Sequence, residues 1–318
     1  MKIVVTGGAG FIGANLCREL AGRAGVREVL AIDDLSTGSA DNLAAVPARL
    51  VVGSILDRPL LAEVVAGADA VVHLAARPSV PRSITDPVAS HDVNVTGTVY
   101  VLEASRATGA YLVAASSSSV YGSATHLPKH EDLPTRPLSP YGASKLATEA
   151  YLLAYAASFG LPTLALRFFN VYGPLQAAGH AYAAVVPAFV DAALRGQPVA
   201  VHGDGLQTRD FTYVGSVVRV LADAVQRRVC ADAPVNLAFG SRVSVLDLLA
   251  RLSLLFDRPV GVRHEAVRPG DIRDSQADDS RLRALFPDVA PIALETGLAQ
   301  TVAWFRTLPQ YATVGAAR

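Results

Sequence analysis

The stretch that most constrains this chain lies at its start, where an apolar strand runs into a cluster of glycines and then a helix. Lys2–Thr6 reads as a strand, Thr6-Gly-Gly-Ala-Gly-Phe-Ile-Gly13 as a turn, and Phe11–Ala24 as a helix. Gly7, Gly10 and Gly13 recur at every third position. Glycines so placed permit a tight turn, close approach of backbone to a pyrophosphate, and close packing of helix on strand. A second strand, Val29–Ile32, leads into Asp33-Asp34, twenty residues beyond Gly13. A carboxylate there accepts hydrogen bonds from ribose hydroxyls and repels a 2′-phosphate, which favours NAD over NADP.

Strand-like runs at Ile3–Val5, Val29–Ile32, Ala70–Leu74, Tyr111–Ala115 and Leu164–Arg167 alternate with helical patterns. The helices are expected at Phe11–Ala24, Pro59–Val65, Pro87–Ala107 and Tyr141–Phe159. Such alternation predicts βαβ units and an α/β fold, a Rossmann-type doubly wound parallel sheet covered by helices on both faces. After Asn170 the pattern gives way to Gly- and Pro-rich loops, a short strand at Val199–His202, and helices at Val185–Arg195, Val217–Arg228 and Val245–Phe256. We therefore expect a dinucleotide-binding domain over residues 1–170, joined by segment 211–229. A smaller mixed α/β substrate-binding domain is expected over 171–318.

Composition excludes several classes. Half of the 318 residues are hydrophobic and the formal net charge is zero, which is not the composition of a disordered chain. No cluster of five or more basic residues offers a footprint for nucleic acid. Cys17 and Cys230 have no metal-ligand spacing, and Cys17 falls in an apolar helical pattern as a small core residue. No metal site is expected. The chain opens directly on a strand, without the pattern of a signal peptide, and no apolar run is long enough to span a membrane. The expectation is a soluble, cytoplasmic protein.

Tyr141-Gly-Ala-Ser-Lys145 places a phenol and an ammonium four residues apart, on one face if the segment is helical. Tyrosine is a poor base at neutral pH, and a nearby cation favours the phenolate. Lysine is otherwise scarce, occurring only at Lys2, Lys129 and Lys145.

With these features in hand, the chain resembles the extended short-chain dehydrogenase/reductase family, and within it the NAD-dependent UDP-sugar 4-epimerases. The resemblance runs from Lys2 to about Trp304. It is carried by Asp33-Asp-Leu-Ser-Thr-Gly38, His73-Leu-Ala-Ala76, Asn94-Val-Thr-Gly-Thr98, Ser116-Ser-Ser-Ser-Val-Tyr-Gly122 and Ser139-Pro-Tyr-Gly-Ala-Ser-Lys145. Arg167-Phe-Phe-Asn-Val-Tyr-Gly-Pro174, Gly203-Asp-Gly-Leu-Gln-Thr-Arg-Asp-Phe211 and Arg268-Pro-Gly-Asp271 extend it.

The resemblance implies a catalytic group of Ser117, Tyr141 and Lys145. It implies NAD contacts from Gly7, Gly10, Phe11, Ile12 and Gly13, and from Asp33, Asp34, Ser36, Thr37 and Gly38. Further NAD contacts are implied at Ser54 and Ile55, at Leu74, Ala75 and Ala76, at Asn94, and at Tyr141 and Lys145. For a UDP-sugar it implies Ser79, Ser117, Ser118, Tyr141, Asn170, Val185, Arg209, Arg268, Asp271 and Ser275. Arg209 and Arg268 suit a pyrophosphate, since a guanidinium gives forked hydrogen bonds. Two positions depart from the family pattern: Ser54 stands where an acidic residue is usual, and Gly215-Ser216 where an aspartate is common.

The implied reaction is 4-epimerisation through a transient 4-keto sugar, with Tyr141 taking the O4 proton and NAD regenerated in each cycle. A 4,6-dehydratase of the family carries an Asp-Glu pair, and a UDP-uronate decarboxylase an acidic residue, in the segment where this chain has Ser118-Ser119. An NADPH-dependent reductase calls for a basic residue in place of Asp33. A non-catalytic NAD-sensing regulator would not be expected to keep Ser117, Tyr141 and Lys145 together. Ser275 matches a position beside the sugar C2 substituent, where a small side chain leaves space for an N-acetyl group. The stretch Ala181–Pro187 also looks like that of epimerases acting on UDP-N-acetylhexosamines. UDP-GlcNAc/UDP-GalNAc is thus the leading pair, with UDP-glucose/UDP-galactose beside it. UDP-glucuronate stays as an alternative, although its epimerases tend to carry Thr where Asn170 stands. Helices Pro87–Ala107 and Leu146–Phe159 match those that form a homodimer interface in relatives.

Overall fold

The computed structural model describes residues 1–178, 183–267 and 272–311. Its first half runs Lys2–Thr6 (β1), Phe11–Ala21 (α1), Glu28–Asp33 (β2), Arg49–Val52 (β3), Arg58–Val65 (α2) and Ala70–His73 (β4). It continues through Val80–Thr85 (α3), Pro87–His91 (α4), Gly97–Thr108 (α5), Tyr111–Ser117 (β5), Pro140–Phe159 (α6) and Thr163–Phe168 (β6). Then come Asn170–Tyr172 (β7), Val185–Leu194 (α7), Val199–His202 (β8), Thr208–Arg209 (β9), Phe211–Tyr213 (β10) and Val214–Arg227 (α8). The remaining elements are Val235–Leu237 (β11), Val243–Ser244 (β12), Val245–Leu255 (α9), Val262–Glu265 (β13), Ser280–Leu285 (α10) and Leu294–Thr307 (α11).

Seven strands form one sheet in the order β11-β6-β5-β4-β1-β2-β3, and every pairing is parallel. This is the doubly wound α/β sheet expected from the alternation. Its strands are apolar on both faces because both are covered. Ile3, Val5, Val72, Val113 and Leu166 join the core beneath α1 and α8, while Val4, Val71, Leu112 and Ala165 join the core beneath α2, α5 and α6. Strand order reverses between β1 and β4, and ligands of such sheets bind at the carboxyl ends flanking that point.

The segment after Asn170 builds three small pairings, β7 with β10, β8 with β13 and β9 with β12. It also returns α8 to pack on α1 and β11 to the edge of the large sheet. At the family departure, Ser216 Oγ accepts from Ile292 N at 2.9 Å. A Cβ on Gly215 would lie 2.7 Å from the Tyr213 ring. The pair thus closes a packed corner between α8 and the segment leading to α11.

The helix expected at Pro87–Ala107 is present and carries a wider π-turn at Asp92–Thr96 between α4 and α5. The Asn94 carbonyl lies in that turn and accepts the hydroxyls of Thr98 at 2.6 Å and Thr148 at 3.3 Å. Such side-chain competition for a helical carbonyl loosens the ladder locally. Among the described residues no helix is long and apolar enough to cross a membrane, and no group of His, Cys, Asp and Glu could hold a metal ion.

Candidate active site

The turn between β1 and α1 is held too tightly for side chains. Gly7 has φ +69°, and a Cβ there would lie 2.8 Å from Ala75 N; one on Gly13 would lie 2.1 Å from the Gly7 carbonyl oxygen. No side chain caps the start of α1, so its first N–H groups are presented to the cavity, the arrangement that suits a phosphate group.

The carboxylate of Asp33 closes one side. Its Oδ2 accepts from Ala9 N and its Oδ1 from Leu35 N, both at 2.9 Å. Burial pushes its carboxyl above the usual range, and these amides oppose that rise. Asp34 Oδ1 accepts from Ser36 N at 3.0 Å and Ser36 Oγ at 2.6 Å, shaping the next turn. Opposite, Thr6 Oγ1 accepts from Ala75 N at 3.1 Å and meets His73 Nδ1 at 2.7 Å, while His73 Nε2 meets Thr98 Oγ1 at 3.0 Å. Burial, aided by the Lys145 charge, drives the His73 pKa down to about 3, so this ring is a neutral brace. It fixes Leu74, Ala75 and Ala76 on the cavity wall.

The reactive end lies where β5 stops and α6 begins. Ser139 caps α6 by accepting from Gly142 N at 3.1 Å, and Pro140 opens the helix. Tyr141 and Lys145 then fall on one face. Ser117 and Tyr141 line the same wall. Ser117 Oγ in turn donates to Ser119 Oγ at 3.1 Å. Lys145 Nζ donates to the Ala115 carbonyl at 2.9 Å. Burial raises the Tyr141 phenol, and the Ser117 hydrogen bond draws it back. The Lys145 ammonium is thereby turned towards β5. Burial lowers Lys145 to about 8, and Glu149 opposes the change.

These parts share one cavity of about 1470 Å³. It brings together Gly7, Gly10, Phe11, Ile12 and Gly13; Asp33, Asp34, Ser36 and Thr37; and Ser54, Ile55, Leu74, Ala75 and Ala76. Ser79, Ser117, Tyr141, Lys145 and Asn170 line it too. The departure at Ser54 is accommodated within its own turn, where Oγ accepts from Leu56 N at 3.2 Å.

Six expected site residues lie off the wall. Gly38 packs behind the glycine turn, where a Cβ would be 2.8 Å from the Ala9 carbonyl carbon. The Asn94 amide accepts from Arg77 N at 2.7 Å and donates to Ser144 Oγ at 2.9 Å; it braces the wall rather than forming it. Ser118 sits in the 3₁₀ turn Ser118–Val120, and Val185 begins α7 beside the lining residue Ala184. Arg209 and Ser275 meet at Thr208: Arg209 Nη1 donates to the Thr208 carbonyl at 2.9 Å, and Ser275 N donates to the same oxygen at 3.1 Å. Arg268 and Asp271 lie outside the described residues, as do Ala181 and Tyr182 of the Ala181–Pro187 stretch. Arg77, Arg82, Thr85, Phe168 and Gln176 line the cavity without having been foreseen. Sequence signals existed for the first three, in Pro78 and Pro81 around a short capped helix, and for Phe168, in the Arg167–Pro174 block.

A glycine-cradled helix start, an acidic residue closing the second strand and a Ser-Tyr-Lys group at the switch point define a dinucleotide-binding enzyme of the short-chain dehydrogenase/reductase class. Residues 3–238 match the model of the NAD dependent epimerase/dehydratase family. The chain belongs to that family and is an NAD-dependent enzyme. It is 37% identical to a UDP-glucose 4-epimerase of Mycolicibacterium smegmatis, over 98% of this chain and 100% of that protein. It is also 37% identical to a dTDP-glucose 4,6-dehydratase of Streptomyces griseus, over 95% of this chain and 93% of that protein. The fold superposes with a TM-score of 0.90 on a UDP-N-acetylglucosamine 4-epimerase from Methanobrevibacter ruminantium solved with UDP-N-acetylmuramic acid. That match has 33% identity and covers 96% of this chain and 97% of the other.

Gly13→Ala is expected to weaken NAD binding at least about tenfold, or about 1.4 kcal/mol, because the new methyl must push α1 off the turn. Calorimetric titration of the variant with NAD checks this; unchanged affinity would show that the close approach is not needed.

Proposed function

We propose that this enzyme interconverts the C4 epimers of a UDP-hexose. The observation that carries the reading is the chemistry of the cavity wall around Tyr141. Its groups there are hydroxyls and one amine, from Ser117, Tyr141 and Lys145. Among the described residues the carboxylates on the wall are Asp33 and Asp34 beside the glycine turn, and Asp191, which Arg195 and Tyr311 engage. Removing water across C5 and C6 needs an acid and a base at the reacting sugar, and Ser118-Ser119 stands where a dehydratase carries them. Oxidation and re-reduction at C4 need one proton acceptor, which Tyr141 provides.

NAD, when bound, supplies a hydride-accepting carbon and a positive ring beside the phenol. The residues that fit it are the glycine turn, Asp33 and the Leu74–Ala76 wall; Lys145 is placed to hold a ribose. Tyr141 takes the proton from O4 while Ser117 hydrogen-bonds the same oxygen and positions that proton. After the 4-keto sugar turns over in the cavity, Tyr141 returns the proton from the same side chain to the opposite product. Asn170, Val185, Arg209, Arg268 and Asp271 are proposed to hold the UDP moiety, with Ser79 and Ser118 on the sugar side.

For the sugar we propose UDP-GlcNAc/UDP-GalNAc, with UDP-glucose/UDP-galactose as a second pair. Small Ser275 supports this, and so does the likeness to a UDP-N-acetylglucosamine 4-epimerase. Asn170 argues against UDP-glucuronate. A homodimer is proposed through the α5 and α6 faces, where Tyr151 and Phe159 are exposed apolar residues.

Tyr141→Phe should lower kcat by roughly 10²–10⁴-fold with NAD still bound, as read by product formation and by cofactor release on denaturation. Full turnover would overturn the assignment. Ser275→Tyr should abolish turnover of UDP-N-acetylhexosamines and spare UDP-glucose, measured by resolving the epimers of each. Equal losses on both would refute the role given to Ser275.

A further inference from the structure

Beneath the catalytic face of α6 lies a buried ion pair that the proposed chemistry does not use. Tyr141, Lys145 and Glu149 succeed one another at four-residue intervals, so they share a face of the helix. Glu149 and Arg167 are both nearly inaccessible, at 2% and 3% exposure. Arg167 Nε donates to Glu149 Oε1 at 2.8 Å and Nη2 donates to Oε2 at 2.9 Å, a forked pair. Ser116, beside catalytic Ser117, gives Oε1 a further hydrogen bond at 2.5 Å. The Arg167 guanidinium is held from its other sides too, 4.7 Å from the Tyr121 ring centre and donating through Nη1 to the Glu131 carbonyl at 3.3 Å. One carboxylate therefore ties α6, β5 and β6 together directly below Lys145.

A buried pair of this kind is not needed for stability, since an apolar pair of similar volume serves as well. Its position relative to Lys145 suggests another use. We infer, on the reading of Lys145 as catalytic, that Glu149 is a positioning residue that acts through Lys145: clamped by Arg167 and Ser116 one turn along the same helix face, it presents a fixed negative charge that favours the ammonium. Among the described residues the titratable groups around Lys145 are few. On α6 they are Tyr141 and Glu149; β4 contributes His73, which burial keeps neutral; β6 contributes Arg167; β5 presents Ser116, Ser117 and the Ala115 carbonyl, all uncharged. Burial alone disfavours the ammonium, and Glu149 is the group that opposes it. Arg167 fixes Glu149 and offsets part of its charge, and at Lys145 the nearer carboxylate prevails.

This makes signed expectations. Glu149→Gln leaves a guanidinium that cannot lose its proton, and Lys145 should then deprotonate more easily. Arg167→Met leaves the carboxylate unbalanced and should move Lys145 the other way. The double substitution removes both charges and should leave it between the two single variants. A purely structural role predicts that both single variants disturb Lys145 alike and that the double is worse.

Because the chain has only Lys2, Lys129 and Lys145, NMR of lysine-labelled protein gives three side-chain signals. That of Lys145 is identified by its loss in Lys145→Met. Titration with and without NAD, and with no sugar present, should show Glu149→Gln lowering the Lys145 midpoint by on the order of one pH unit. Arg167→Met should raise it, and the double variant should fall between the two. Each variant that folds is decisive by its own sign. An unmoved midpoint, or a shift of the same sign in both single variants, would overturn the inference. Since no sugar takes part, failure of the proposed epimerisation would leave this result standing.

Discussion

The close approach of β1, the glycine turn and α1 determines where every other part of the site can lie. With the Gly13 Cα position only wide enough for hydrogen, α1 starts against the Gly7 carbonyl, and its N–H groups open onto the end of the sheet. Gly7 in turn lies against the backbone of Ala75, so the turn and the β4 wall pack as one surface. Asp33 and Thr6 then need only short reaches to fix the two sides. A side chain at either glycine would separate elements whose contact the cavity requires.

Burial is the second theme. The groups proposed to react sit where charge is disfavoured: Tyr141 is pushed up and Lys145 down, each away from the ionised form that proton transfer uses. The chain opposes this with directed partners. Ser117 draws on the phenol, and Glu149 supports the ammonium across a turn of α6. His73 contributes by staying neutral, so its contacts with Thr6 and Thr98 brace the wall without adding a charge. Groups poised in this way, with opposed shifts in one cavity, are the usual mark of acid–base chemistry.

Much of this was legible in the sequence, because the strongest signals are local. Glycines at fixed spacing, an acid after the second strand and alternating apolar runs each report backbone geometry that no distant residue can change. What was missed depended on distance. β3 and β11 are four and three residues long and owe their pairing to neighbours far along the chain. Helix α3 follows Ser79, whose φ of +101° no propensity foretells. Asn94 is implied as a cofactor contact by its own motif, Asn94–Thr98, whereas the engagement of its amide by Arg77 and Ser144 depends on residues far from it in sequence. Lys145 shares a helix with Tyr141, as their spacing predicts. The turn of its ammonium towards Ala115, and the pair beneath it, depend on β5 and β6.

The central claim is that a hydride leaves C4 and returns to the same carbon while Tyr141 handles the O4 proton. Its most direct test is to supply UDP-GlcNAc carrying deuterium at C4, in ordinary water, and to resolve the products by mass and by C4 configuration. The account predicts both C4 epimers with deuterium retained at C4. Loss of the label to solvent, or a 6-deoxy-4-keto product, would contradict it.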